Sequence, residues 1–181
     1  MITHDEPWQV FSENGEAVVG ASASRDEFNQ DPSLIVGASQ VWLWQRSLDG
    51  IEVLLQKRAS TKKAWPGCYE ASVAGHIDAS ESPVESAVRE AREELGVDMD
   101  AGRLIYLFSL RTPLAESEID HVYAYEVDAD FVAKFADGEV ESVEWMPLSV
   151  LRERLKSPDE FKIVNQGDGY FSLLLDYLTK L

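Results

Sequence analysis

The stretch "GHIDASESPVESAVREAREELGV", residues 75–97, constrains the fold most, because it specifies a helix at both ends. Ser82, Pro83 and Glu85 form a capping box with proline at the first helical position. Gly96 provides the stop, since glycine readily adopts the left-handed conformation that ends a helix. Between these signals, apolar residues recur at i, i+3, i+4, i+7 and i+11. The pattern predicts a helix with one face packed against a sheet.

This helix carries an unusual group of acids in its last turns, namely Glu90, Glu93 and Glu94. Like charges at these spacings repel by roughly 0.2–0.5 kcal/mol per pair, and acids near a helix C-terminus oppose the helix dipole. On a helical wheel the three carboxylates share one arc at the edge of the apolar stripe. Such a set suits Mg²⁺ or Mn²⁺, which would turn the repulsion into ligation. An ordinary acidic, solvated helix face is the alternative.

The rest of the chain alternates strand-like and helix-like segments without regular βαβ order. Runs rich in β-branched and aromatic residues predict strands at 34–44, 51–58, 71–75, 103–110, 120–127 and 140–146, and leucines at helical spacing predict helices at 148–155 and 170–178. The expected architecture is a mixed sheet with helices on its faces. Residues 1–33 are expected to form an extension, a small hairpin packed on a main domain at 34–181.

The length, net charge and apolar content of the chain restrict the kinds of molecule that it can bind. The 181 residues fit one domain, and their net charge of −17 argues against binding to duplex nucleic acid. A phosphorylated substrate would need local Lys, Arg or a divalent metal to offset that charge. The chain has no apolar run long enough to cross a bilayer and one cysteine, Cys68. We therefore expect a cytoplasmic protein without a membrane partner, and a homodimer by the common prior for oligomers.

Taken together, the fixed positions of the motif resemble the box that defines the Nudix hydrolase superfamily. The match comprises Gly75, Glu81, Arg89-Glu90-Ala91, Glu93-Glu94 and Gly96-Val97. The resemblance implies an α/β fold, a Nudix-type α/β/α sandwich with a mixed β-sheet and a loop–helix–loop metal motif. It also implies divalent-metal-dependent cleavage of a diphosphate linkage in a small molecule.

Carried over residue by residue, the resemblance assigns a role to each motif position. Glu90, Glu93, Glu94 and the Gly75 carbonyl would hold Mg²⁺ or Mn²⁺, and Glu90 and Glu94 are the catalytic candidates. Glu81 and Arg89 would form a structural ion pair that holds the loop against the helix.

A closer resemblance lies upstream, where "KRASTKKAWPG" followed by "SVAGH" is similar to the isopentenyl-diphosphate isomerase branch of this superfamily. By that resemblance Arg58 and Lys62 would bind substrate phosphates. The acidic residues Glu116 and Glu118, together with His76, are candidates for additional acid–base or metal-binding roles.

The chain departs from that branch at two places. The isomerases have a catalytic cysteine immediately before the Gly-His pair, where this sequence has Ala74, and they use histidines near the first core strand, where residues 34–44 contain none. Without these groups, the chain lacks the acid and base that would protonate and deprotonate an alkene. Hydrolysis of a nucleoside diphosphate or related conjugate is therefore favoured. An isomerase-like enzyme and a non-catalytic ligand-binding domain are the alternatives.

Overall fold

The computed structural model describes residues 6–111, 117–135 and 138–181. The strands are β1 (Trp8–Phe11), β2 (Ala17–Ala23), β3 (Ile35–Ser47), β4 (Gly50–Arg58), β5 (Tyr69–Glu70), β6 (Val73–His76), β7 (Ile105–Arg111), β8 (Glu118–Glu126) and β9 (Val140–Pro147). The helices are α1 (Arg25–Gln30), α2 (Pro83–Leu95), α3 (Leu148–Arg154), α4 (Pro158–Phe161) and α5 (Asp168–Leu178). No helix in these ranges is long and apolar enough to span a membrane.

Strand β3 organises the sheet. Its first ten residues are all buried, which is typical of a strand covered on both faces. On one side β3 runs parallel to β8, and on the other side it pairs antiparallel with β1, β6 and β4 in turn. Strand β7 extends the sheet from β8, and β9 and β5 flank β4. The predicted mixed sheet is thus confirmed.

Two apolar cores lie on opposite faces of this sheet. One contains Trp42 and Trp44 of β3 with Leu151 of α3 and Leu174 of α5. The other contains Val41 and Leu43 of β3 with the apolar stripe of α2, which is made of Ala87, Ala91 and Leu95. Neighbouring residues of β3 alternate between the two cores because side chains alternate along a strand. Helices therefore cover both faces, and the predicted α/β/α sandwich is confirmed.

Local signals set the ends of α2 as the sequence predicts. The Ser82 side chain accepts a hydrogen bond from the Glu85 amide, and the Glu85 side chain accepts one from the Ser82 amide. Gly96 ends the helix with φ 65°, in the left-handed region. A Cβ atom at Gly96 would lie 2.8 Å from the Lys134 carbonyl oxygen, so the position also needs a small residue.

The N-terminal strands β1 and β2 pair antiparallel, and β1 also pairs with β3. The division of the chain at residue 33 stays a prediction. Helix α1 follows β2 and was not expected, although its Ser24 and Glu27 form a complete capping box. That S-x-x-E spacing was the signal that could have located it.

Candidate active site

The three glutamates at the end of α2 differ in depth. The Glu94 residue is 4% exposed, whereas the Glu90 and Glu93 side chains are 14% and 34% exposed. Glu94 accepts a hydrogen bond of 3.1 Å from the backbone amide of Ala74 in β6. The glutamate nearest the sheet is therefore tied to the strand that precedes the motif loop.

Gly75 makes room for the second glutamate. A Cβ atom built at Gly75 would lie 2.1 Å from Cδ and from Oε1 of Glu90. A non-bonded Cβ atom does not approach another heavy atom so closely, so any side chain at this position would displace the Glu90 carboxylate. The structure thus brings Gly75, Glu90 and Glu94 together.

Arg89 is the main basic group of this patch. Its guanidinium lies 3.0 Å from Glu81, 2.7 Å from Glu90 and 3.3 Å from Glu93, and it donates to the backbone carbonyl of His76. The structure therefore contains the ion pair between Glu81 and Arg89 that the motif implied. The same guanidinium also neutralises part of the glutamate charge.

Burial and mutual repulsion act on the two deeper carboxyls. Burial raises the pKa of Glu94 well above its usual range, and the charges of Glu90 and Glu70 raise it further. Burial also raises the pKa of Glu90, against the opposing effect of Arg89. For Arg89, burial disfavours the charge, but the acidic neighbours outweigh it and raise the pKa. A further positive charge next to Glu90 and Glu94 would lower the cost of keeping both ionised.

These observations test whether the residues fit a divalent cation. Over the described ranges, no three His, Cys, Asp or Glu side chains converge as a ready-made metal cluster. The chemistry nevertheless fits, because buried carboxylates that repel one another are the donors that hard cations such as Mg²⁺ prefer. Gly75 preserves the space that the Glu90 carboxylate occupies.

A further buried acid near Glu94, Glu70 of β5, was missed from the sequence. Both of its carboxylate oxygens accept from Arg58, at 2.7 and 2.9 Å. The side-chain amide of Gln56 donates to Glu70 at 3.0 Å and to Glu94 at 3.2 Å. Glu70 and Glu94 are 24 positions apart, and no local pattern indicates this contact. Arg58 is thereby connected to the glutamates of α2 through Glu70 and Gln56.

The two candidate phosphate ligands lie in different surroundings. The Arg58 side chain is 15% exposed and held by Glu70, whereas Lys62 is 27% exposed and pairs with Glu139 at 2.5 Å. Lys62 therefore lies nearer the surface than Arg58. Phosphate binding by either residue stays a prediction.

His76 and Glu118 form a second group beside the motif loop. His76 Nε2 lies 3.1 Å from Glu118 Oε2, and this contact lowers the pKa of Glu118 although burial acts in the opposite direction. Asp120, two residues along β8, is fully buried, and burial with the nearby Glu118 charge raises its pKa well above the usual range. Glu116, the other acid of the predicted pair, lies outside the described residues.

Known proteins and a family model resemble this chain in sequence. The family model described as the NUDIX domain matches residues 37–166. Nudix hydrolase 3 of Arabidopsis thaliana is 29% identical over 97% of this chain, and the match covers 24% of that protein. An isopentenyl-diphosphate Delta-isomerase of Escherichia coli is 33% identical over 55% of this chain and 57% of its own length. The chain thus spans about a quarter of the first relative and little more than half of the second.

Solved structures share the fold. DR0079 from Deinococcus radiodurans superposes with a TM-score of 0.68 and 26% identity, over 97% of this chain and 98% of that one. The NUDIX domain of Shewanella oneidensis NrtR, solved in complex with ADP ribose, has a TM-score of 0.59 at 16% identity, over 87% of this chain and 99% of that one. The second likeness concerns the fold alone.

Proposed function

Because the chain belongs to the Nudix family, we propose that it is a hydrolase that depends on Mg²⁺ or Mn²⁺ and cleaves a diphosphate linkage by water attack. The substrate would be a nucleoside diphosphate or a related diphosphate conjugate. The observation that carries this proposal is the patch of Glu90 and Glu94 packed against Ala74 and Gly75. Burying carboxylates that repel one another costs free energy, and an ordinary solvated helix face would not require that cost. A cation bound between the carboxylates would offset it.

In this proposal the residues have distinct tasks. Glu90, Glu93, Glu94 and the Gly75 carbonyl hold the metal, which neutralises diphosphate oxygens and lowers the pKa of water when bound. Glu90 and Glu94 are the candidates to accept the proton of the attacking water, since burial raises the pKa of each and so makes each a stronger base. Arg58 and Lys62 bind the substrate phosphates.

An isomerase-like activity is the second candidate, and the contact between His76 and Glu118 favours it together with the 33% identity to the isomerases. Against it, Ala74 stands where the resemblance calls for a catalytic cysteine. Ala74 offers no side-chain proton donor, and its backbone amide is used to bind Glu94. Binding of a ligand without turnover is the third alternative. Cytoplasmic location and a homodimer also stay predictions.

The test is product release from a panel of nucleoside diphosphates and triphosphates, ADP-ribose, dinucleoside polyphosphates and prenyl diphosphates, with and without Mg²⁺. We expect Mg²⁺-dependent turnover that Glu94→Gln reduces by roughly 10²–10⁴ in kcat. Glu153→Gln is the matched control, because Glu153 is an exposed helical glutamate of α3 that pairs with Lys156 just after the helix. Isomerisation of a prenyl diphosphate without hydrolysis would select the second candidate.

A further inference from the structure

The N-terminal hairpin, defined as residues 8–23, stacks on His76 at the end of β6, directly before the motif loop, defined as residues 77–82. The Trp8 indole lies parallel to the His76 imidazole, with ring centroids 3.7 Å apart and an interplanar angle of 6°. Trp8 is 7% exposed and also contacts Phe28 edge-on, while the Arg25 guanidinium lies 5.2 Å from its ring centroid. The indole is thus fixed by α1 as well as by β1, and its position defines the plane of the His76 ring.

Backbone hydrogen bonds extend this contact along the loop. The Gln9 amide donates to the Ile77 carbonyl at 2.8 Å, and the Ala79 amide donates to the Pro7 carbonyl at 2.7 Å. The Gln9 side-chain oxygen accepts from the Ser80 amide at 3.4 Å, while its nitrogen donates to carbonyls within the hairpin. The strand β1 therefore holds residues 77–80 in place from one side.

The end of β6, which leads into this loop, faces Glu90 and Arg89. The His76 carbonyl accepts from Arg89 at 3.1 Å and from Ser86 at 3.3 Å. Gly75, the preceding residue, contacts the Glu90 carboxylate. The His76 ring contacts Trp8 of the hairpin and Glu118, and the His76 backbone carbonyl contacts Arg89. His76 thus connects the hairpin to Arg89.

From these contacts we infer that the N-terminal hairpin positions the motif loop, with Trp8 acting as a positioning residue through His76. The catalytic part of this inference rests on the proposed function. Leucine and phenylalanine both leave part of the buried indole volume empty, but only phenylalanine keeps a planar ring that can stack on the imidazole. Trp8→Leu should therefore loosen the loop, whereas Trp8→Phe should largely preserve it.

Hydrogen exchange of the metal-free protein, followed by mass spectrometry, tests the structural step without any activity. We expect Trp8→Leu to accelerate exchange in residues 77–81 roughly three- to tenfold, the range for the loss of one aromatic stacking contact. Trp8→Phe should stay within about twofold of wild type. Val19→Ser is the control, because Val19 belongs to the hairpin and is 99% exposed. Unchanged exchange in Trp8→Leu, or equal acceleration in both Trp8 variants, would overturn the inference.

The functional step is measured with Mn²⁺ alone, titrated by its electron paramagnetic resonance signal, and then with kcat on the substrate found in the panel. Trp8→Leu should weaken Mn²⁺ binding and lower kcat roughly three- to tenfold with little change in KM, and Trp8→Phe should restore both. Faster exchange with unaltered Mn²⁺ affinity and kcat would contradict a positioning role. If wild type binds Mn²⁺ but cleaves nothing, the hydrolase proposal fails, and exchange and Mn²⁺ affinity still decide this inference. If wild type neither binds Mn²⁺ nor turns over, the proposed function and the catalytic part of this inference are wrong, and the exchange measurement alone decides the structural part.

Discussion

The carboxylate of Glu90 lies directly against the Cα atom of Gly75, where a side chain would place its Cβ 2.1 Å from Glu90 Cδ. This contact joins the strand before the motif loop to the helix after it. The backbone conformation of Gly75 is one that other residues can adopt. Glycine is therefore needed here for the close approach of Glu90, and not for its conformational freedom.

Gly75→Ala is therefore expected to displace Glu90 and to reduce Mg²⁺-dependent turnover at least about tenfold, the cost of misplacing one catalytic group by a fraction of an ångström or more. Steady-state kinetics at saturating Mg²⁺ provide the measurement. Gly169→Ala is the control, since Gly169 lies in α5 and an added Cβ would meet no atom within 4 Å among the described residues beyond its chain neighbours and the backbone of its own helix. That substitution should leave kcat unchanged and favour the helix.

The cluster around Arg89 predicts a large difference between two arginines of the same helix. Arg89→Met removes one partner of Glu81, Glu90 and Glu93 and should lower the free energy of unfolding by about 2–3 kcal/mol, since the partly buried carboxylates lose this counter-charge. Arg92→Met breaks the exposed pair with Asp98 and should cost less than about 1 kcal/mol. Urea titration measures both, and equal costs would contradict a central role for Arg89.

Binding of Mg²⁺ should stabilise the native protein. At a Mg²⁺ concentration ten times Kd, mass action adds about 1.4 kcal/mol, which corresponds to a rise in Tm of about 3–6 °C for a chain of this size. Glu94→Gln should abolish most of the shift because it removes a carboxylate of the proposed site, whereas Glu153→Gln should retain it. Differential scanning calorimetry provides the test, and a shift that survives in Glu94→Gln would place the metal elsewhere.

The two capping boxes predict unequal effects on stability. Ser82→Ala removes the cap of α2, whose apolar stripe packs in the core, and should cost about 1 kcal/mol. Ser24→Ala removes the equivalent cap of α1, a helix with no buried residue, and should cost less because local fraying there exposes little apolar surface. Thermal unfolding of both variants gives the comparison.

The sequence predicted the parts of this molecule that local patterns specify. The helix from Pro83 to Leu95 was foreseen because its cap, its apolar stripe and its stop are all contained in the motif. The strand β3 was foreseen from its run of β-branched and aromatic residues, and the mixed sheet followed from the irregular order of strands and helices.

The contacts that were not foreseen join residues far apart in the chain. The bridge from Glu70 through Gln56 to Glu94 spans three separate elements, and the stack of Trp8 on His76 joins residues 68 positions apart in the numbering. Neither has a periodic signal, because each depends on how the strands pair. The short helix α1 is a different case, since its capping box was present and only its length concealed it.

The most direct measurement is hydrolysis in water enriched in oxygen-18, with the products weighed by mass spectrometry. We expect one labelled oxygen for each diphosphate linkage cleaved, only when Mg²⁺ or Mn²⁺ is present, and loss of labelled product in Glu94→Gln but not in Glu153→Gln. Unlabelled, isomerised prenyl diphosphate, or labelled product formed equally well without Glu94, would contradict this expectation.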